Sequence, residues 1–346
     1  MQQRPQKKLQ KKLQKKLQKK LVFLGTGGTI AGSADNPNDN VAYRAAQQGI
    51  VTLLSNLPPL EHALGAYLAE WEQVAQCDSK DMDFAIWWTL ARRIVFYLQV
   101  PNVAAVIITH GTDTLEETAF FLSQILPPSL MAHKPVILTC AMRPASSYAP
   151  DGPQNIIDSV AVAQDTLAKG VLVVCAGSIH RAQKVQKIHP YRLNAFDSGD
   201  AGALGFVEES RVRWVQSCSC GGSHPVDLSH LLESDPSLCP RVEIVMSYAG
   251  ATGAIVTALC ADASLSGIVV AATGNGTVHT HLEQALLQAQ HQGIRVVRAS
   301  RCIYGAIVGT EGLSPVKMRI ALMLSLMNAR NTVSPPESIQ SAVDGH

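Results

Sequence analysis

Two apolar runs in this chain end in loops rich in glycine and threonine. The first is Leu21-Val-Phe-Leu-Gly-Thr-Gly-Gly-Thr29-Ile-Ala-Gly32; the second is Ala105-Val-Ile-Ile-Thr-His-Gly-Thr112-Asp113-Thr-Leu-Glu-Glu-Thr118. A threonine hydroxyl becomes a nucleophile once a neighbour takes its proton, and acyl transfer also needs donors for the oxyanion that forms. Thr29 follows two glycines, and backbone N–H groups around Gly27 and Gly28 can come close to a reacting atom. Thr112 has Asp113 beside it, and a desolvated lysine would serve as its base. The pattern offers Lys187, in the polar segment Gln183-Lys-Val-Gln-Lys-Ile, as that lysine. Taken singly, each loop is more simply a strand-to-helix turn and Lys187 a solvated surface residue. Only the combination selects acyl transfer.

These groups need a scaffold that brings strand ends together. Apolar, β-branched runs predict strands at 21–25, 104–109, 135–140 and 170–175, and helical periodicity predicts helices over 82–99, 114–126 and 153–168. Such alternation implies an α/β fold with a mostly parallel open sheet covered by helices on both faces. Ligands bind at the carboxyl ends of its strands. Thr114 and Glu117 read as a capping box opening the helix of the second loop, which leaves Thr112 and Asp113 exposed in the turn. Gly, Ser, Pro and Cys then crowd residues 216–240. Beyond them, strands at 241–247, 267–272 and 294–299 and helices near 251–260, 279–292 and 314–328 predict a smaller C-terminal α/β domain. The expected organisation is a basic tail at 1–20, an N-terminal domain at 21–210, a linker at 211–240, a C-terminal domain at 241–332 and a frayed end at 333–346.

With 346 residues, 47% apolar and 16% charged, the chain is long enough for two domains and a sizeable core. No apolar run approaches the ~20 residues that a membrane span needs. The net charge of +2 hides an asymmetry: residues 1–20 hold nine Lys/Arg and no acid, leaving 20 basic against 27 acidic residues elsewhere. An acidic body disfavours nucleic acid as a partner. The Gln-Lys-Lys-Leu repeat from Gln6 to Leu21 reads as a solvated extension, with a basic amphipathic helix at a membrane or nucleic acid as the alternative. Its charges leave no apolar stretch of the kind a secretory signal contains, so a cytoplasmic location is expected. Among the eight cysteines, Cys140, Cys175, Cys260 and Cys302 lie in or beside apolar runs as small core residues. Cys218, Cys220, His224 and Cys239 cluster loosely without the spacing of a zinc site, and neither metal nor organic cofactor is expected. A dinucleotide fingerprint fails in the first loop, since counting from Gly25 puts Ile30 where the last glycine belongs.

The two loops, TGGTIAG and HGTDTLEETA, together resemble the signatures of the bacterial-type L-asparaginase family. The resemblance runs from Leu21 to about Met327 and includes Asp78-Ser-Lys-Asp-Met82, Ala141-Met-Arg-Pro144, Asp151-Gly-Pro153, Gly170-Val-Leu-Val-Val174, Gly274-Asn-Gly276 and Ala299-Ser-Arg301. It implies hydrolysis of L-asparagine to L-aspartate and ammonia, without a cofactor, by a homotetramer built from intimate dimers. It further implies that Thr29 is the primary nucleophile and that Tyr43 helps activate it. Thr112 and Lys187 match the second threonine and the lysine of the catalytic set. Asp113 matches a carboxylate that orients this group and binds the substrate's α-ammonium, and Ser79 a residue that binds its α-carboxylate. The polar run from Ser33 to Asn40 stands where the family has a lid. Three places depart from well-studied secreted relatives. Lys80 replaces a glutamine that contacts the substrate, putting a cation where it can pair with the substrate carboxylate. Gly250 replaces an asparagine that reaches into the neighbouring subunit's site. The segment after Arg301 is short, and Glu311 is only near the place of a family glutamate. Glutamine or another ω-amide is the alternative substrate, because one methylene gives only ~1–3 kcal/mol of discrimination. A non-catalytic amino-acid-binding regulator would be marked by loss of Thr29, Thr112 or Lys187, and all three are present.

Overall fold

The computed structural model describes residues 18–218 and 227–332. Five parallel strands make up one side of its first sheet: β1 (Lys20–Gly27), β2 (Leu68–Cys77), β3 (Val103–Thr109), β4 (Val136–Thr139) and β5 (Val171–Cys175). A short ladder of β7 (Gln186–Lys187) with β8 (Phe196–Asp197) follows β6 (Ser178–Arg181). Then β9 (Gly205–Glu208) and β10 (Arg211–Trp214) complete an eight-stranded sheet in the order β10-β9-β6-β5-β4-β3-β1-β2. Residues 21–27 of β1 are all buried, which is why that strand reads as a nearly unbroken apolar run.

The two faces of β1 bury different helices. Leu21 and Phe23 pack with α1 (Ile50–Ser55), α2 (Pro59–Leu64) and residues of a later helix whose Ile156 and Val160 share that cluster. Val22 and Leu24 pack on the opposite side with α3 (Phe84–Gln99) and α4 (Leu115–Ile125). After the short α5 (Pro128–Met131), that later helix is α6 (Gly152–Gln164), which returns the chain to β5. The crossover from β1 to β2 thus runs over one face, and the crossover from β3 to β4 over the other. Since β1 and β3 are neighbours, their carboxyl ends open into a crevice at the point where the winding reverses, the usual ligand position in such sheets.

The second sheet is parallel, with β11 (Arg241–Met246), β12 (Leu265–Ala272) and β13 (Arg295–Ser300) in that order. One face carries α7 (Ala254–Cys260) and α8 (Thr280–His291). The last helix, α9 (Pro315–Thr332), packs on all three of its strands and on α4 of the first sheet. Ile320, Met323 and Leu324 of α9 belong to the same buried cluster as Trp88, Phe121 and Leu122, so the cores of the two sheets merge through it.

Three differences from the sequence expectation concern its edges and bounds. The ten-residue β2 is half-exposed at the sheet edge, so its alternating Glu70-Trp-Glu-Gln pattern carries no continuous apolar run. Charged β10 lies at 211–214, inside the segment expected as a linker. The fold also takes up the end of the basic repeat: Lys19 accepts from Leu68 N–H at 2.9 Å, Gln18 accepts from Asn102 Nδ2, and Lys20 pairs with Glu70 at 2.9 Å. Removal of residues 18–20 together with what precedes them is therefore expected to lower Tm, as differential scanning fluorimetry would show. Cys220 and His224 of the loose cysteine–histidine cluster lie outside the described residues. Among those described, no group of three metal-ligating side chains occurs and no helix is long and apolar enough to cross a membrane.

Candidate active site

Glycine lets the two threonine loops touch. Gly28 directly follows β1 with φ +81°, and a Cβ placed on it would lie 2.2 Å from the Gly111 Cα. Gly111 in turn leaves no room for a side chain against Ser79 Oγ, which would sit 2.4 Å from a Cβ there. Backbone therefore meets backbone, and Thr29 and Thr112 each follow one of these glycines. Thr29 opens a single 3-10 turn, Thr29–Ala31. Its hydroxyl lies 2.6 Å from the Tyr43 hydroxyl. Tyr43 is delivered by the far end of the polar run 33–40, which is closed by reciprocal Ser33–Arg44 backbone bonds of 2.9 Å and held by Ser146 Oγ on Ala34 N–H. Burial raises the Tyr43 pKa, only partly offset by the Thr29 hydrogen bond, and the Asp113 and Asp78 charges raise it further. The phenol is consequently neutral at physiological pH, so to take the Thr29 proton it must pass on its own.

Around Thr112 the structure brings together four of the residues read from the sequence. Lys187 Nζ donates to Thr112 Oγ1 at 2.8 Å and to Asp113 Oδ1 at 2.6 Å. Ser79 Oγ accepts from the Asp113 N–H at 3.2 Å. Thr112 is buried rather than exposed, while Asp113 remains open to solvent. The capping box is not formed. Thr114 occupies the N-cap position, but its hydroxyl donates to the Ser79 carbonyl at 2.7 Å, tying the turn after β2 to the second loop instead of closing its own helix. The Gly28 N–H is also unavailable to an oxyanion, because it donates to the Cys77 carbonyl at 2.9 Å. In the second loop, the N–H groups of Gly111 and Thr112 carry no partner among the described residues and are free to donate.

A buried relay that sequence reasoning missed holds this loop. Trp87 Nε1 donates to Thr118 Oγ1 at 2.8 Å, Thr118 lies 2.9 Å from His110 Nε2, and His110 Nδ1 lies 2.7 Å from the Gly111 carbonyl. Since tryptophan can only donate and a carbonyl only accept, the chain has one polarity: His110 is neutral with its proton on Nδ1. Burial pushes its pKa down to about 4. Unfolding restores the ordinary value of 6.5, so His110 contributes stability that is present above pH 6.5 and is lost as pH falls toward about 4. Glu117, raised to about 7 by burial, acts in the opposite direction over part of that range. Comparison with a variant isolates the histidine. The stability advantage of the parent chain over His110→Gln is expected to narrow by about 2 kcal/mol between pH 7 and pH 5 in urea unfolding.

Lys80 is not drawn into this network. Its ammonium is held by Asp81 at 2.7 Å and Asp78 at 3.1 Å, and its side chain is 60% exposed. A pairing with substrate would have to compete with both carboxylates. Lys80→Gln is accordingly expected to change kcat and KM for asparagine by less than about twofold; a large rise in KM would show that the cation leaves its neighbours to meet the substrate. Gly250 has φ +76° and open space around it. Glu311 offers its backbone carbonyl to Lys184 Nζ at 2.7 Å.

Two threonine hydroxyls, one against a tyrosine hydroxyl and the other against a lysine ammonium, thus lie where the winding of the parallel strands reverses, an arrangement with the groups that acyl transfer needs. Residues 20–219 match the family described as "Asparaginase, N-terminal", and residues 241–335 that described as "Glutaminase/Asparaginase C-terminal domain". The chain belongs to the asparaginase family. It is 34% identical to a probable periplasmic L-asparaginase of Haemophilus influenzae, over 90% of this chain and 89% of that protein. Against L-asparaginase 2 of Escherichia coli the identity is 32%, over 92% and 91%. A glutaminase-asparaginase of Pseudomonas fluorescens biotype A is 33% identical over 90% and 87%. The crystal structure of a probable cytoplasmic L-asparaginase from Campylobacter jejuni superposes with a TM-score of 0.80 at 33% identity, covering 89% of this chain and 95% of that one.

Proposed function

We propose that the protein hydrolyses L-asparagine to L-aspartate and ammonia through a covalent acyl-threonine. The observation that carries this reading is the Lys187 ammonium shared between Thr112 Oγ1 and Asp113 Oδ1, across the glycine contact from Thr29 and Tyr43. One threonine oxygen attacks the side-chain amide carbon, the C–N bond breaks, and the nitrogen leaves as ammonia with a proton from the site. Water then attacks the ester and restores the hydroxyl. Lys187 can hold charge on a Thr112 alkoxide or, once it has given up a proton, accept the hydroxyl proton. Ser79 and Asp113 stand beside this group with a hydroxyl and a partly exposed carboxylate suited to the substrate's α-carboxylate and α-ammonium.

Glutaminase activity is the second reading, favoured by the likeness to the Pseudomonas glutaminase-asparaginase. A homotetramer in the cytoplasm completes the proposal. Exposed Met246 and Tyr248, at the end of the edge strand β11, support burial against another copy, and the likeness to the Campylobacter protein supports the location. Ammonia release from asparagine, glutamine and longer ω-amides tests the activity, with asparagine expected to give the highest kcat/KM. Release from none of them would remove the assignment. Light scattering tests the tetramer.

A further inference from the structure

Lys317, in the first turn of α9, is fully buried, an uncommon place for an ammonium. It makes no ion pair at contact distance among the described residues; instead its Nζ donates to the Gln183 carbonyl at 3.2 Å and to the Val185 carbonyl. Those carbonyls belong to the turn between β6 and β7, the segment that delivers Lys187. The turn is tight, with Lys184 and Val185 N–H groups both donating to the Arg181 carbonyl at 3.1 and 3.0 Å. It is also packed, with Ala182 and Val185 fully buried. Without the ammonium, two carbonyls would be left in the interior with nothing to replace water.

Glu116 approaches the same strand from α4. Its Oε1 accepts the Lys187 backbone N–H at 3.4 Å, while Oε2 is buried without a partner among the described residues. Burial raises the Glu116 pKa, and Lys317 is the largest influence opposing that rise. Burial also pushes the Lys317 pKa down to about 8, and Glu116 is what resists it. Each charge therefore supports the other across the base of β7, and Lys187 stands on that short strand. A lysine whose tip is held by two hydrogen bonds among the described residues, to Thr112 and Asp113, depends on where its backbone is placed.

We propose that Lys317, together with Glu116, is a positioning residue for Lys187: the last helix pins the segment that carries Lys187 and so sets the reach of its ammonium to Thr112. The proposal rests on the role given to Lys187 above. It makes the C-terminal domain a contributor to the site of its own chain, through the backbone rather than by contact with substrate.

The test is a kinetic double-mutant cycle on the full-length chain with asparagine. Lys317→Met keeps the volume and removes the donors. It is expected to lower kcat about 10–100-fold, as small displacements of catalytic groups do, while KM stays within about twofold. Added to Lys187→Met, it should cause no further loss. A folded Lys317→Met protein with parental kcat and only a lower Tm would overturn the proposal, and so would losses that multiply in the double variant. If Lys187→Met itself retains the parental rate, it is the assignment of Lys187 that fails, which separates the two claims. Should Lys317→Met not fold, Glu116→Gln carries the same test, since it keeps the acceptor for the Lys187 N–H but removes the opposing charge. A fall in kcat at constant KM, absent in the Lys187→Met background, supports the proposal; parental kcat overturns it.

Discussion

Thr112→Val is expected to turn over asparagine about 1,000-fold more slowly than the parent chain, or not measurably, while remaining folded. Valine reproduces the branched shape of threonine at this buried position, so no cavity forms. What disappears is the oxygen 2.8 Å from Lys187 Nζ. The ammonium keeps Asp113 at 2.6 Å and stays paired, so the stability cost is limited to about 1 kcal/mol, the net worth of one hydrogen bond. Thr29→Ala is expected to act in the same way at the other loop by removing the oxygen 2.6 Å from Tyr43, whereas Thr29→Ser retains a hydroxyl and a measurable rate. Ammonia release and thermal unfolding of the purified variants decide the matter. Near-parental rates for Thr112→Val or Thr29→Ala would remove the assignment of these hydroxyls.

Gly28→Ala is expected to lose both activity and stability, by roughly 2 kcal/mol or more. The added methyl would fall 2.2 Å from Gly111 Cα and 2.3 Å from Gly111 N, and backbone cannot rotate away as a side chain can. The loops must separate, carrying Thr29 away from Thr112. Gly250→Ala is the control. Gly250 shares a positive φ, +76°, but meets nothing within 4 Å among the described residues, so it should show only the conformational penalty, roughly 1 kcal/mol. Equal melting temperatures for the two variants would show that the close approach of the loops does not matter.

The parallel strands and both threonine loops were legible because strands covered on two faces must be apolar throughout, and glycines next to threonines stand out against them. The sheet's edges were not. In β2, one face meets helices and the other solvent, so Glu70, Glu72 and Gln73 dilute the pattern. That omission had a consequence at the site: the Gly28 N–H looked available for an oxyanion only because the strand end that engages it, at Cys77, had gone unseen. Thr114 and Glu117 carried a true local signature that a tertiary acceptor, the Ser79 carbonyl, overrode. Lys187 was legible only in combination, since a lysine in a polar segment has no mark of burial until its neighbours are placed. Nothing in the sequence distinguishes Lys317 from the other lysines, because its burial is decided by a turn more than a hundred residues away.

The position of α9 bears on how the protein comes into being. Translation delivers the eight strands of the first sheet well before Pro315–Thr332 exists. Until then, the side of α4 that carries Phe121 and Leu122 lacks the apolar surface of Ile320, Met323 and Leu324. A nascent chain stalled before residue 315 therefore displays a sticky helix face on an otherwise complete sheet, the kind of surface that chaperones hold and that aggregates form on. The core of the first sheet is therefore completed only by the helix that is synthesised last.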